Sequence, residues 1–364
     1  MFSRTSLTLV FGVVIVGGWA AEAAEHLDVT TLIERGDGFG GAAAVAVDPH
    51  HPGVVLAGDR RGRIWRSDDS GSSWKSLIPE PEVLGDRLGV DAHAVCNDML
   101  CATSSIVYDP LTVGTVYLAK VGTFFRSEDS GRAWEHVGPE MARGSHRSAL
   151  VVHPGEAGTV FVGTDKGVFR SQDRGDDWER VLQMPTRSLA MSTSDPAVIY
   201  AAGPSLQRSD DGGHTWEERT DGLFTKNVMW IGAVAVDPRD HDLVYAGAFS
   251  APRSDAPSVF RSEDGGGTWH ALDIHGHEIH VLLINPSNPD VLYAGGGSKG
   301  HPDGLFRSAD GGQTWTVLEG HGSTMSLDLN RTDPDEVYEG TNWGLYRYSG
   351  SQQAASAGQR SSGE

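Results

Sequence analysis

Soft metal ligands gather in one class of segment of this chain. Met99, Met141, Met184, Met229 and Met325 share short linking segments, or their edges, with His93, His146, His275, His277, His280 and His321. Imidazole nitrogen and thioether sulfur together suit copper, whereas magnesium and calcium demand oxygen. His146, His280 and Met325 are the metal candidates. His280 and Met325 stand five residues before Asn285 and Asn330, and His146 lies two residues further out in its own segment. A plainer reading has methionine filling irregular gaps and histidine decorating loops, with no cofactor at all. Cys96 and Cys101, four residues apart between them, read as a disulfide in an oxidising compartment.

Carboxylates supply the second chemistry. A glycosidase needs two carboxyl groups ~5–10 Å apart, and Asp59, Asp165 and Glu278 are candidates, along with Asp91, Asp98, Glu140 and Asp303. No spacing among them singles out a pair. Trp230 and Trp343 are binding candidates, because an exposed indole stacks on a sugar ring or a partner surface; packing inside the fold is the competing reading.

The elements that must position these residues come from a repeat. The octet S-x-D-x-G-x-x-W occurs six times, carrying Asp69 and Trp74, Asp129 and Trp134, Asp173 and Trp178, Asp211 and Trp216, Asp264 and Trp269, Asp310 and Trp315. Each follows an arginine at the end of a short, mostly apolar run. Those arginines, with Arg347 as a seventh lacking its octet, are spaced by 60, 44, 38, 53, 46 and 40 residues. A period near 40 with variable insertions means one supersecondary unit repeated. The copy from Ser148 to Leu182 parses as four strands, A to D, with the octet as the C–D loop. Pro49, Pro110, Pro154, Pro238 and Pro286 stop strand A.

Four strands repeated seven times make an all-β, seven-bladed β-propeller. The seventh copy lacks strand D, and Val29 to Ile33 is a β-rich run with no A, B or C strand before it. Pairing that run with the strand around Tyr346 would complete blade seven and close the ring, removing an exposed edge. Small residues at Ala44, Ser105, Ala149, Ala233 and Ser326 suit strand A beside the axis.

The octets resemble the Asp boxes, or BNR repeats, of sialidase-like, sortilin-like and xyloglucan-hydrolase-like propellers, over nearly the whole chain after its leader. The resemblance implies the fold far more than an activity. The octet aspartates are expected to accept hydrogen bonds from their own loops and the tryptophans to pack between blades. One dependable carboxylate per octet is too few for calcium. Sialidase chemistry is disfavoured, since all eight tyrosines fall in expected strands. Such enzymes use a free tyrosine nucleophile, and their N-terminal arginine motif and six-blade count are missing as well.

With the octets at one end, chemistry belongs at the other, on the D–A and B–C linkers. The insertions lie there: Pro79 to Ala102, Gly247 to Ser258, Asp273 to His280 and Gly295 to Gly304. The expected function is a non-catalytic binding or assembly scaffold for a protein or polysaccharide ligand, with a glycoside hydrolase as alternative and a copper-binding protein as a second one. Propellers that assist assembly of photosynthetic complexes share the repeat.

Composition sets the remaining bounds. Glycine is 47 of 364 residues, nearly double its average share, without a collagen period. A net charge of −20 argues against nucleic acid and anionic lipid as partners. Residues 1–23 read as a signal peptide: Arg4, an apolar stretch from Leu7 to Trp19, then Ala21-Glu22-Ala23. Cleavage near Ala23 and a periplasmic or secreted monomer without membrane insertion are expected. Residues 24–350 form the propeller and 351–364 read as a disordered tail.

Overall fold

The computed structural model describes residues 27–34, 39–77, 103–120, 123–137, 148–224, 228–250, 255–298, 301–318 and 321–350. Their regular elements are strands in seven four-stranded antiparallel sheets arranged as a propeller. Strand β1 is Leu27–Glu34. Blade 1 holds β2 to β5: Ala42–Val47, Val55–Asp59, Ile64–Ser67 and Lys75–Ser76. Blade 2 holds β6 to β9: Thr103–Tyr108, Val116–Lys120, Thr123–Ser127 and Glu135–Val137. Blade 3 holds β10 to β13: Ala149–Val152, Val160–Thr164, Gly167–Ser171 and Glu179–Leu182. Blade 4 holds β14 to β17: Ser188–Met191, Ile199–Ala202, Leu206–Ser209 and Glu217–Glu218. Blade 5 holds β18 to β21: Val228–Asp237, Asp240–Ser250, Val259–Ser262 and His270–Ala271. Blade 6 holds β22 to β25: Glu278–Ile284, Leu292–Ser298, His301–Ser308 and Thr316–Leu318. Blade 7 holds β26 to β28: Thr324–Asn330, Asp333–Thr341 and Gly344–Gly350.

The ring closes as the irregular ends imply. β1 is the fourth strand of blade 7, antiparallel to β28, with Thr31 opposite Tyr346 and Val29 opposite Tyr348. Two expected insertions differ from loops. In blades 5 and 6 the central strands run on, β19 to Ser250 and β23 to Ser298, because the hairpin ladder continues beyond the core.

Each octet is a self-contained loop. The serine oxygen accepts from the glycine amide at 2.8–2.9 Å in all six. The aspartate Oδ1 accepts the serine hydroxyl and the amide four residues on, as Asp69 does from Ser67 and Ser73 at 2.7 Å each. Glycine at the fifth position has a positive φ, +87° at Gly71, and so does the residue before it: Ser70, Ser130 and Arg174 in three octets, glycine in the others.

Octets also bind blades together. In octet 2 the fifth-position Gly131 and Trp134 pack on blade 1, against Leu56 and its surroundings. From the other side, C-strand arginines donate to the next octet's backbone: Arg66 to the Ser130 carbonyl, Arg126 to that of Arg174 at 2.9 Å, and Arg170 to that of Gly212 at 3.2 Å. The closure repeats the pattern. Arg347 donates to the Ser70 carbonyl at 3.0 Å, Gly71 lies against Leu32 of β1, and Leu32, Ile33 and Trp74 pack on one buried cluster.

Candidate functional site

Every A strand ends on a side chain that accepts an amide of the following turn. Asp48, Asp109, Asp237, Asn285 and Asn330 do so through oxygen, His153 through Nδ1 and Ser192 through its hydroxyl. Five residues before these caps stand Ala43, Ser104, Ser148, Arg187, Gly232, His280 and Met325. In blades 1, 2, 5, 6 and 7 that residue is the extra one of a β-bulge: the ladder steps from Ala42 to Ala44, Thr103 to Ser105, Ile231 to Ala233, Ile279 to Val281 and Thr324 to Ser326. In blades 3 and 4 it immediately precedes the strand. A bulge leaves one residue unpaired and re-aims its side chain. Ser104, Ser148, Arg187, His280 and Met325 accordingly border a central channel cavity of about 290 Å³.

The ring is uneven. Blades 1 to 3 contribute alanine and serine, while blades 4, 6 and 7 contribute Arg187, His280 and Met325. Blade 5 contributes Gly232, whose missing side chain makes room for Phe249: a Cβ there would lie 2.3 Å from the Phe249 ring. The Arg187 guanidinium lies 4.9 Å from the Trp230 ring centroid and 5.6 Å from that of Phe249. Phe249 meets His280 edge-on at 5.2 Å. His280 Nδ1 is 3.2 Å from the Thr324 carbonyl, so that nitrogen carries the proton, and Nε2 is 3.8 Å from a Glu278 oxygen. At the far end of the cavity stand Asp328 and Arg331. Asp328 accepts the Val47 amide of blade 1 at 2.8 Å, and burial holds its pKa above the usual carboxylate range against the pull of Arg331.

Among the metal candidates, His280 and Met325 border the same cavity. His146 lies outside the described residues, as do Cys96 and Cys101. No cluster of three His, Cys, Asp or Glu with metal-holding geometry occurs among the described residues. Trp230 is half-buried beneath Arg187, and Trp343 is 52 % exposed on the β27–β28 turn, lying over Gly322.

The carboxylate candidates fall on three different blades. Asp59 ends β3 fully buried, accepting from the Arg61 and Arg63 amides, the Arg63 Nε and the Trp65 indole at 2.8–3.4 Å. Lys120 of blade 2 is buried nearby and donates to the Gly62 carbonyl at 2.5 Å; burial lowers its pKa to about 8. Asp165 sits on the β11–β12 turn of blade 3, and Glu278 opens β22 in blade 6.

Sequence reasoning missed Arg187 and Phe249. Arg187 is five residues before Ser192, which caps its turn as aspartate does elsewhere, so the register was present but disguised. Glu339 was missed too. It occupies the β27 position where the other blades carry Ala57, Leu118, Val162, Ala201, Ala246 and Ala294. Fully buried, its carboxyl accepts from Thr324 Oγ1 at 2.5 Å and Tyr348 at 2.8 Å, and the Tyr348 oxygen is 3.2 Å from His321 Nδ1. Burial raises the Glu339 pKa to about 7.

No protein-family profile and no curated protein matches the chain. Solved structures do. A GH74 xyloglucanase from Xanthomonas campestris is similar with a TM-score of 0.66 and 18 % identity, over 91 % of this chain and 55 % of that one. This chain therefore spans about half the length of that enzyme. YCF48 bound to D1 peptide is similar at 0.63 and 15 % identity, over 91 % of this chain and 99 % of YCF48. YCF48 from Cyanidioschyzon merolae gives 0.63 and 11 %, over 88 % and 98 % of the two chains. Identities this low establish a shared seven-bladed propeller.

Proposed function

We propose that this protein is an exported, non-catalytic binding or assembly propeller that engages a protein or polysaccharide through its D–A and B–C face. The observation that carries the reading is the row of Trp230, Arg187, Phe249 and His280, contributed by three blades and gathered at one mouth of the channel. It is a recognition surface, rich in aromatic and guanidinium groups of the kind that dominate binding energies. This reading takes the octets as Asp boxes, residues 1–23 as a leader to the periplasm or beyond, and the protein as a monomer. The likeness to YCF48 over that protein's full length supports a peptide or protein ligand.

The likeness to GH74 enzymes supports hydrolysis as the second reading. Against it, Asp59, Asp165 and Glu278 lie on blades 1, 3 and 6, and Asp59 is saturated by its own turn. A pulldown from periplasm and inner membrane separates the two, using wild-type bait, a charge-matched control and a Trp230→Ala/Trp343→Ala bait. The binding reading expects a captured protein that the double variant loses. Reducing ends released from a glycan panel by the wild type, and abolished in Glu278→Ala, would replace it with the hydrolase.

A further inference from the structure

We infer that the channel mouth holds a small-ligand site for a monocarboxylate with an apolar body, centred on Arg187. This goes beyond the macromolecular reading above, with which it shares the row of Trp230, Arg187 and Phe249. C-strand arginines such as Arg66, Arg126, Arg170, Arg208 and Arg347 direct N–H groups to carbonyls or carboxylates of the protein. Arg187 does not. Its guanidinium is half-buried, stacked by Trp230 and Phe249, and meets no hydrogen-bond acceptor among the described residues. Stacking fixes the plane of the group and, among the described residues, leaves its N–H edge unpaired, the geometry that receives a carboxylate through two parallel hydrogen bonds.

The surroundings define the rest of the ligand. The cavity that Arg187 borders is about 290 Å³, at the small end of ligand pockets, so it admits a compact molecule. Met325, Val281 and Ile106 supply apolar wall, and Ser104 and Ser148 add hydroxyls. Arg187 compensates one negative charge, and the cavity's other guanidinium, Arg331, stands at the far end beside Asp328. With Glu278 beside His280 and a chain carrying −20, a second charge on the ligand is opposed. A monoanion is therefore favoured over phosphate.

Isothermal titration of the full chain tests the site with butyrate, phenylacetate, neutral phenylacetamide and dianionic phenyl phosphate as probes. Saturable binding of a monocarboxylate is expected, weakened about tenfold or more in the amide and in Arg187→Gln. Arg187→Lys, which keeps the charge but loses the fork, should bind more weakly than wild type at an unchanged melting temperature, as should Phe249→Leu. Equal binding of acid and amide, unaltered affinity in both Arg187 variants, tighter binding of the dianion, or no binding of either carboxylate would each overturn the proposal. The pulldown reads Trp343 as well and scores a captured protein, so failure here leaves that result to stand or fall separately.

Discussion

At the scale of single residues, the structure is most informative where a repeat position breaks its own rule. Glu339 replaces an apolar residue inside blade 7, and Tyr348 replaces the octet serine of the other blades. The two substitutions answer each other, the tyrosine hydroxyl donating to the carboxyl at 2.8 Å. Because burial lifts the Glu339 pKa to about 7, the folded state binds a proton more tightly than the unfolded chain does. Its contribution is thus fully present below the ordinary glutamate range and is lost as pH rises through about 7. The cost at alkaline pH is on the order of 3 kcal/mol. Glu339→Gln should flatten the decline in urea midpoint between pH 5 and pH 8, and should melt above wild type at pH 8. An unchanged slope would mean that the carboxyl is already ionised at pH 5.

Blades are joined by elements of fixed design, and the octet does two tasks at once. Its own hydrogen bonds close the loop, and its backbone carbonyl and indole then hold the preceding blade. Arg66 is almost wholly buried at such a junction, so Arg66→Met should cost about 1–3 kcal/mol by stranding the Ser130 carbonyl. Arg61→Met, on an exposed side chain, should move the denaturation midpoint little. Hydrogen bonds from Ser73 and Ser67 lower the Asp69 pKa to about 2, and those from Thr268 and Ser262 lower that of Asp264 to about 2. Stability from these depressed groups is present above the ordinary aspartate range and disappears as pH falls through about 2. Acid unfolding followed by circular dichroism should therefore begin at higher pH in Asp69→Asn and Asp264→Asn than in wild type. The bulges are the other repeated device, and in five of the seven blades they re-aim position five.

For the whole molecule, closure is the governing event. The contacts that join blade 7 to blade 1 include Leu32 of β1 against Gly71, the Arg347 bond to the Ser70 carbonyl, and the Asp328 bond to the Val47 amide. Deleting residues 24–34 removes the first, strips β28 of its outer partner and opens a sheet edge. Aggregation, or a broad melt at lower temperature, is expected in place of one cooperative transition; a soluble variant with the wild-type melting profile would contradict this role of β1. The four-strand unit, the octet loops and the closing strand were all legible in the residues alone. Their determinants are local: each octet satisfies itself within eight residues, and Val29 to Ile33 complements the blade that lacks a strand. The register of His280 and Met325 could likewise be counted along the chain. What no count supplied was their company. Arg187 and Phe249 belong to other blades, with Ser192 disguising one and Gly232 seating the other. Residues dozens of positions apart become neighbours only because seven A strands converge on one axis, and the bulges that aim His280 and Met325 arise from strand pairing, which one strand's sequence cannot specify by itself.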